Sequence, residues 1–218
     1  MNVPVLVPRP AATLMLLREA SDGVEVLMVR REPKASFAAG AWVYPGGVVE
    51  AVDHALSNLG GEQRLLRQVE PEPEEDRGAY RLAAIRECFE EAGLLVGQLN
   101  GTPLVPDWRD RVLTDAEAWE RLIHDQEFMP EPHRLHYLFR RITPPGLPRR
   151  FDTRFYVAAA PRAQEAAVCE AEVVDCRWVN PVEALELEAQ GEMLLLSPTR
   201  ASLQLMADPE LQDQVLTD

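Results

Sequence analysis

The residues with the most chemistry in them lie together, in Arg86-Glu87-Cys88-Phe89-Glu90-Glu91-Ala92-Gly93-Leu94. On a helix turning about 100° per residue, Glu87, Glu90 and Glu91 share an arc of about 100°. Carboxylates this close repel one another unless a cation sits between them. Their hard oxygens suit Mg²⁺ or Mn²⁺ rather than zinc. Arg86 precedes Glu90 by one turn, where a charge-assisted bond can hold that carboxylate in one rotamer. Cys88 and Phe89 fall on the side expected to anchor the helix in a core. Residue types alone leave a second reading open, because three glutamates on one face also describe a solvated acidic helix.

Several elements must position this stretch. Apolar spacing predicts the helix itself over about Gly78 to Gly93, with Gly93 as a left-handed C-cap. Upstream, Ala11–Leu17 and Val24–Arg30 read as strands of a β-hairpin joined at Ala20-Ser21-Asp22-Gly23. A short strand is expected over Ala41–Tyr44, stopped by Pro45-Gly46-Gly47. The acidic run Glu70–Asp76, within residues 54–78, reads as an exposed, mobile loop. Downstream, a helix is expected over 114–126, capped by Thr114 or Asp115. Strands follow at Leu135–Ile142, Arg154–Ala160 and Val173–Val179, then a helix from Pro181 and one C-terminal helix over Pro198–Val215. Strands interleaved with helices give an α/β (α+β) class, in a single domain over 1–218.

Composition narrows the functions. The 218 residues carry a net charge of −14, which opposes the nucleic-acid backbone and argues against a nucleic-acid partner. A small anionic substrate stays compatible, provided a bound cation reverses the local sign. No apolar run spans a bilayer and the N-terminus lacks a secretory pattern, so no membrane role is expected. Three scattered cysteines (Cys88, Cys169, Cys176) fit reduced thiols in the cytoplasm, and the C-terminus is no peroxisomal address. His54, His124, His133 and His136 form no ligand pair.

Arg86 through Leu94 resembles the second half of the Nudix box, G-x5-E-x7-R-E-U-x-E-E-x-G-U, where U is a bulky apolar residue. Tyr44-Pro45-Gly46-Gly47 precedes it, as in that family. Counting from Gly47, the first acidic position is Asp53 rather than glutamate, with Glu50 nearby. Between Asp53 and Arg86 lie 32 residues where the pattern has seven, an insertion of 25. The coenzyme A and acyl-coenzyme A diphosphatases of the peroxisomal Nudix type tolerate such an interruption. The similarity extends to Val29-Arg30-Arg31-Glu32-Pro33, Phe37–Gly47 and Arg149–Phe155.

The resemblance implies the Nudix fold, a mixed β-sheet sandwiched between α-helices, with a loop insertion at about 54–78 and a helical one at about 107–130. It implies hydrolysis of a diphosphate linkage in a nucleoside diphosphate derivative. Coenzyme A or acyl-coenzyme A is expected first, giving 3′,5′-ADP and (acyl-)4′-phosphopantetheine. ADP-ribose, NADH or another nucleotide is the alternative substrate, and a non-catalytic nucleotide sensor the alternative class. Glu87, Glu90, Glu91 and the Gly46 carbonyl would hold Mg²⁺ or Mn²⁺, with Arg86 in the catalytic set. Glu90 and Glu91 would belong to the catalytic set too, and one of the glutamates, or a later carboxylate, Glu172 or else Glu170, would take the proton of water. Arg30, Arg31, Arg150 and Arg154 are candidates for substrate phosphates, and Gly47 for substrate contact. Phe37, Trp42 and Tyr44 would stack on adenine, line an acyl channel, or simply be core. Relatives are often dimers, so a homodimer is expected by analogy.

Overall fold

The computed structural model of the chain describes residues 6–59, 66–67, 69–100, 108–115, 117–125, 128–168 and 173–217. Its strands are β1 (Arg9–Ala20), β2 (Gly23–Arg31), β3 (Trp42–Val43), β4 (Gly46–Val48), β5 (Gly97–Leu99), β6 (Phe128–Pro130), β7 (His136–Ile142), β8 (Phe151–Ala159) and β9 (Val173–Val179). Its helices are α1 (Ala51–Ala55), α2 (Arg77–Ala92), α3 (Trp108–Thr114), α4 (Ala118–His124), α5 (Pro181–Ala189), α6 (Ser197–Leu205) and α7 (Pro209–Leu216).

Alternation along β1 separates two cores. Ala12, Leu14 and Leu16 pack with α2 and with Trp108, Trp119 and Phe128. Met15 and Leu17 pack with Ala184, Leu203, Met206, Leu211 and Val215 of the last three helices. The mixed sheet therefore lies between α2–α4 and α5–α7, the expected sandwich. β1 is parallel to β8, and β8 antiparallel to β7. The hairpin turns at Ser21-Asp22 as expected, but β1 and β2 are paired only from Leu17↔Val26 to Ala20↔Gly23. Beyond that point β2 pairs with β9 and β3, and the other end of β1 is taken by β4.

That divergence explains one departure from expectation. Pro45-Gly46-Gly47 does end β3, yet Gly46 and Gly47 return at once as β4, opposite Thr13 and Ala12. Leu14 N donates to the Pro45 carbonyl at 2.9 Å. A Cβ on Gly46 would lie 2.5 Å from the Ala12 carbonyl, so the approach needs glycine.

The expected 114–126 helix is shorter, α4 alone, and a separate helix, α3, precedes it and ends at Thr114; between them the Asp115 carboxylate accepts from Glu117 N at 3.0 Å. The expected C-terminal helix is also two. Asp208 accepts from Glu210 N at 2.9 Å and Pro209 opens α7, a cap and a first-turn proline that restart the helix. Gly93 caps α2 at φ 72°, as expected.

The insertion is not the free loop its acidity suggests. Glu72 is fully buried: Tyr156 Oη donates to its Oε1 at 2.5 Å and Arg81 Nε to its Oε2 at 3.0 Å. Arg154 Nη1 adds a longer contact at 3.4 Å. Leu66 sits in the second core, and Arg67 N donates to Gln214 Oε1 of α7 at 3.0 Å. The insertion is thus tied to the sheet, to α2 and to the last helix.

Candidate active site

Arg86 organises the site. Its side chain is buried near the middle of α2 and all five N–H groups have acceptors. Nε and Nη2 reach Asp53 Oδ1 and Oδ2 at 3.1 and 2.9 Å, a bidentate pair. Nη2 also donates to the Val48 carbonyl at 2.9 Å. Nη1 divides between Glu87 Oε1 and Glu90 Oε1, each at 3.0 Å. Asp53 is itself fully buried and accepts from Glu50 N at 2.9 Å, which ties α1 to the same cluster. Asp53, the first acidic position of the interrupted box, is therefore the partner of Arg86.

The glycine pair completes this arrangement. Gly46 N donates to Glu91 Oε2 at 3.1 Å. A Cβ on Gly47 would collide with the Glu87 carboxylate. Glu87 and Glu90 line a cleft of about 920 Å³, together with Gly46, Gly47 and Glu50. Glu91 lies buried behind that surface. Burial pushes the Glu87 carboxyl up to about 8, with Arg86 opposing the shift and Glu90 and Asp53 adding to it. Burial raises Glu90 too, against Arg86 and with Glu50. For Arg86, burial alone would favour deprotonation, but Glu87, Asp53 and Glu90 outweigh it and hold the guanidinium charged.

These residues fit a divalent cation by their chemistry. They are hard oxygen donors, crowded and partly dehydrated, whose charged forms lack enough positive charge. Glu87 and Glu90 turn to Arg86, and Glu91 to Gly46 N. No three acidic, His or Cys side chains among the described residues converge on one point. A cation there would be held by these carboxylates in place of part of that bonding.

The same cleft gathers three arginines, Arg31, Arg141 and Arg149. Arg31 is held by its Nε bond to the Phe37 carbonyl at 3.3 Å, and Phe37 stacks edge-on against Phe151 at 5.3 Å. Arg31, Phe37 and Tyr44 all line this cleft. Tyr44 is also structural, since its hydroxyl shares a 3.0 Å hydrogen bond with Ser202 Oγ of α6.

Other candidates are placed elsewhere. Arg154 is buried, donating to the Pro73 and Glu75 carbonyls at 3.1 and 2.5 Å and stacking on Tyr80 at 3.8 Å. It holds the insertion and cannot meet a substrate phosphate. Its parity on β8 explains this: Phe151, Thr153 and Phe155 line the cleft, while Arg154 and Tyr156 face Glu72. Arg150 donates to the Thr143 and Leu6 carbonyls, outside the cleft. Arg30 is exposed and does not line it, and Trp42 is core, with Arg177 over its ring at 5.7 Å. Glu172 and Glu170 lie outside the described residues. Arg141 and Arg149 were not anticipated. The alternation of β8 would have separated Arg154 from the cleft, but no pattern in the sequence marks Arg141.

A mixed sheet between helices, with a glycine pair laid against a helix bearing Arg-Glu and Glu-Glu, defines the class as a Nudix domain. A family model described as the NUDT19 Nudix domain matches residues 7–205, and the chain belongs to that family. The human acyl-coenzyme A diphosphatase NUDT19 is 29% identical over 221 residues, covering 82% of this chain and 59% of the relative. A putative nudix hydrolase 7 of Caenorhabditis elegans is 28% identical, covering 87% of this chain and 57% of its own. The chain thus spans less than two thirds of the curated relatives it matches. Among solved structures, a NUDIX hydrolase from Alicyclobacillus acidocaldarius superposes with a TM-score of 0.83 at 27% identity, covering 97% of this chain and 96% of that one. The NUDIX domain of Shewanella oneidensis NrtR, complexed with ADP ribose, shares the fold alone, at a TM-score of 0.51 and 14% identity.

Proposed function

We propose that the chain hydrolyses the diphosphate linkage of coenzyme A or acyl-coenzyme A, releasing 3′,5′-ADP and (acyl-)4′-phosphopantetheine. One observation carries the reading: the carboxylates ordered by Arg86 open into the same cleft as Arg31, Arg141 and Arg149. Such a cleft suits a polyanion with a metal-bound diphosphate and further phosphate charge. The names of the relatives supply the substrate class.

In this reading Glu87, Glu90 and Glu91, with the Gly46 carbonyl, hold Mg²⁺ or Mn²⁺. Bound there, the ion would neutralise the diphosphate and acidify a water. Arg31, Arg141 and Arg149 orient the phosphates, and Gly47 allows close approach at the cleft surface. The new bond joins water oxygen to phosphorus. The bridging P–O bond breaks, and its oxygen leaves with the other phosphate. One of the box glutamates would take the proton, and Glu172 is the other carboxylate proposed for that role. Arg86 and Asp53 act through Glu87 and Glu90. Among the described residues no helix is long and apolar enough to cross a membrane. The free thiols of Cys88 and Cys176 suit a reducing compartment such as the cytoplasm. A homodimer is proposed by analogy alone, to be checked by light scattering.

The test is product analysis on coenzyme A, ADP-ribose and NADH with Mg²⁺ or Mn²⁺, alongside Glu87→Gln. Formation of 3′,5′-ADP and 4′-phosphopantetheine, lost in the variant, supports the proposal. Cleavage of ADP-ribose or NADH but not coenzyme A overturns the substrate, and no cleavage by the wild type overturns the activity.

A further inference from the structure

The opening turn of α6 brings backbone donors to the cleft. Leu196 stands at its N-cap, where its side chain accepts no hydrogen bond, and the first turn holds no acidic residue. Arg200 N takes the first helical acceptor, the Leu196 carbonyl at 2.9 Å. Pro198 has no N–H to offer. The N–H groups of Ser197 and Thr199 remain, with no acceptor among the described residues. Donors left over at a helix N-terminus, aligned with its dipole, attract anions.

The Thr199 side chain adds a third donor. Thr199 lines the cleft yet is only 3% exposed. Its carbonyl accepts from Tyr44 Oη at 3.4 Å and from Ser202 Oγ at 2.9 Å, but its own hydroxyl has no partner among the described residues. A buried hydroxyl is ordinarily paired, and the cleft is the side from which this one can be met. The turn is also fixed beside the carboxylates. Trp42 N donates to the Leu194 carbonyl at 2.9 Å and Tyr44 reaches Thr199, both from the short stretch whose Gly46 N holds Glu91 at 3.1 Å. Ser197 and Thr199 thus line one cleft with Glu87 and Glu90.

We infer that the first turn of α6 is a phosphate seat, in which Ser197 N, Thr199 N and Thr199 Oγ1 donate to one phosphate group, carried by the substrate or free. The seat is built from uncharged donors, so it takes the anion without a metal and without Arg31, Arg141 or Arg149. It stands apart from the proposed hydrolysis, since no bond is made or broken there.

The test is a phosphorus NMR titration of the metal-free chain with inorganic phosphate at constant ionic strength. Saturable binding is expected, weakened about tenfold in Thr199→Val, the worth of one hydrogen bond to a charged group. Valine keeps the shape, and the Tyr44 and Ser202 bonds survive because they go to the carbonyl. Ser197→Asp sets a fixed anion on the turn and should abolish phosphate binding without lowering the melting temperature. No saturable binding by the wild type overturns the seat; so does binding unchanged in both variants, which places the phosphate on the arginines. Inhibition of coenzyme A cleavage by phosphate then separates the sources. Competitive inhibition that is relieved in Thr199→Val makes the occupant a substrate phosphate; non-competitive inhibition relieved in the same variant makes it free phosphate. Inhibition equal in variant and wild type overturns the seat. Should coenzyme A not be cleaved, the activity fails and the titration alone decides the seat.

Discussion

Arg86 has no spare donor, and that makes it a poor site for substitution. Lysine offers three donors at one point and cannot span Asp53, the Val48 carbonyl and two glutamates. Arg86→Lys should therefore free Glu87 and Glu90 to adopt other rotamers and lower kcat by about 100-fold, since small misplacements at a reacting centre cost that much. Steady-state kinetics at saturating metal, with a thermal melt to confirm folding, check it; a loss below about threefold would remove Arg86 from the positioning role. The arginine and its glutamates were legible in the sequence because helical spacing alone places them on one face. Asp53 was legible as a position but not as a role, since its bidentate bond to Arg86 spans 32 intervening residues. Arg154 misled because a cluster of arginines along a strand ignores which face each one takes.

Among the elements, the insertion carries the main surprise. Its composition predicts a solvated loop, yet Glu72 is buried between Arg81, Arg154 and Tyr156. Tyr156 is held well above the usual phenol range, by burial first and then by Glu72, so it stays a donor to that carboxylate. Removing the carboxylate takes away the buried anion that Arg81 and Arg154 share. Glu72→Gln should cost about 3–5 kcal/mol in urea unfolding, whereas the exposed Glu74→Gln should change stability by under about 0.5 kcal/mol. A second constraint lies at the start of α2. A Cβ on Gly78 would collide with the Ser57 carbonyl, so helix and turn touch through backbone. Gly78→Ala should destabilise by about 1–3 kcal/mol although alanine is the better helix former, and a gain in melting temperature would contradict the close approach. Neither feature was readable in advance. A buried glutamate inside an acidic run differs from its neighbours only by a long-range partner, and glycine inside a helical pattern signals close packing only once the neighbour is known. The break at Asp208-Pro209, by contrast, followed from local capping chemistry that an expectation of one continuous helix passed over.

At the scale of the whole molecule, the cleft is assembled from β1, the β3–β4 turn, α2, α3, the β7–β8 loop and the start of α6, so its shape had no local signature. What its charge does to the fold can be worked out. Glu87 has an ordinary carboxyl value of 4.5 when unfolded and about 8 in the folded chain, raised by burial. Between those values the folded protein keeps a proton the unfolded chain has released. Stability contributed by protonated Glu87 is therefore complete below about pH 4.5 and is lost as pH rises toward 8, at up to about 1.4 kcal/mol per unit. Glu90 moves in the same direction. A divalent cation binds the carboxylate form and competes with that proton, so its stabilisation must grow across the same window. Metal-free protein should melt at progressively lower temperature from about pH 5 to pH 8, and saturating Mg²⁺ should raise the melting temperature least at pH 5 and most at pH 8. Glu87→Gln, which cannot ionise, should flatten the metal-free slope and shrink the Mg²⁺ increment together. Differential scanning calorimetry over this range decides it: an increment independent of pH, or unchanged in the variant, would place the cation away from Glu87 and leave the carboxylate as a partner of Arg86 alone.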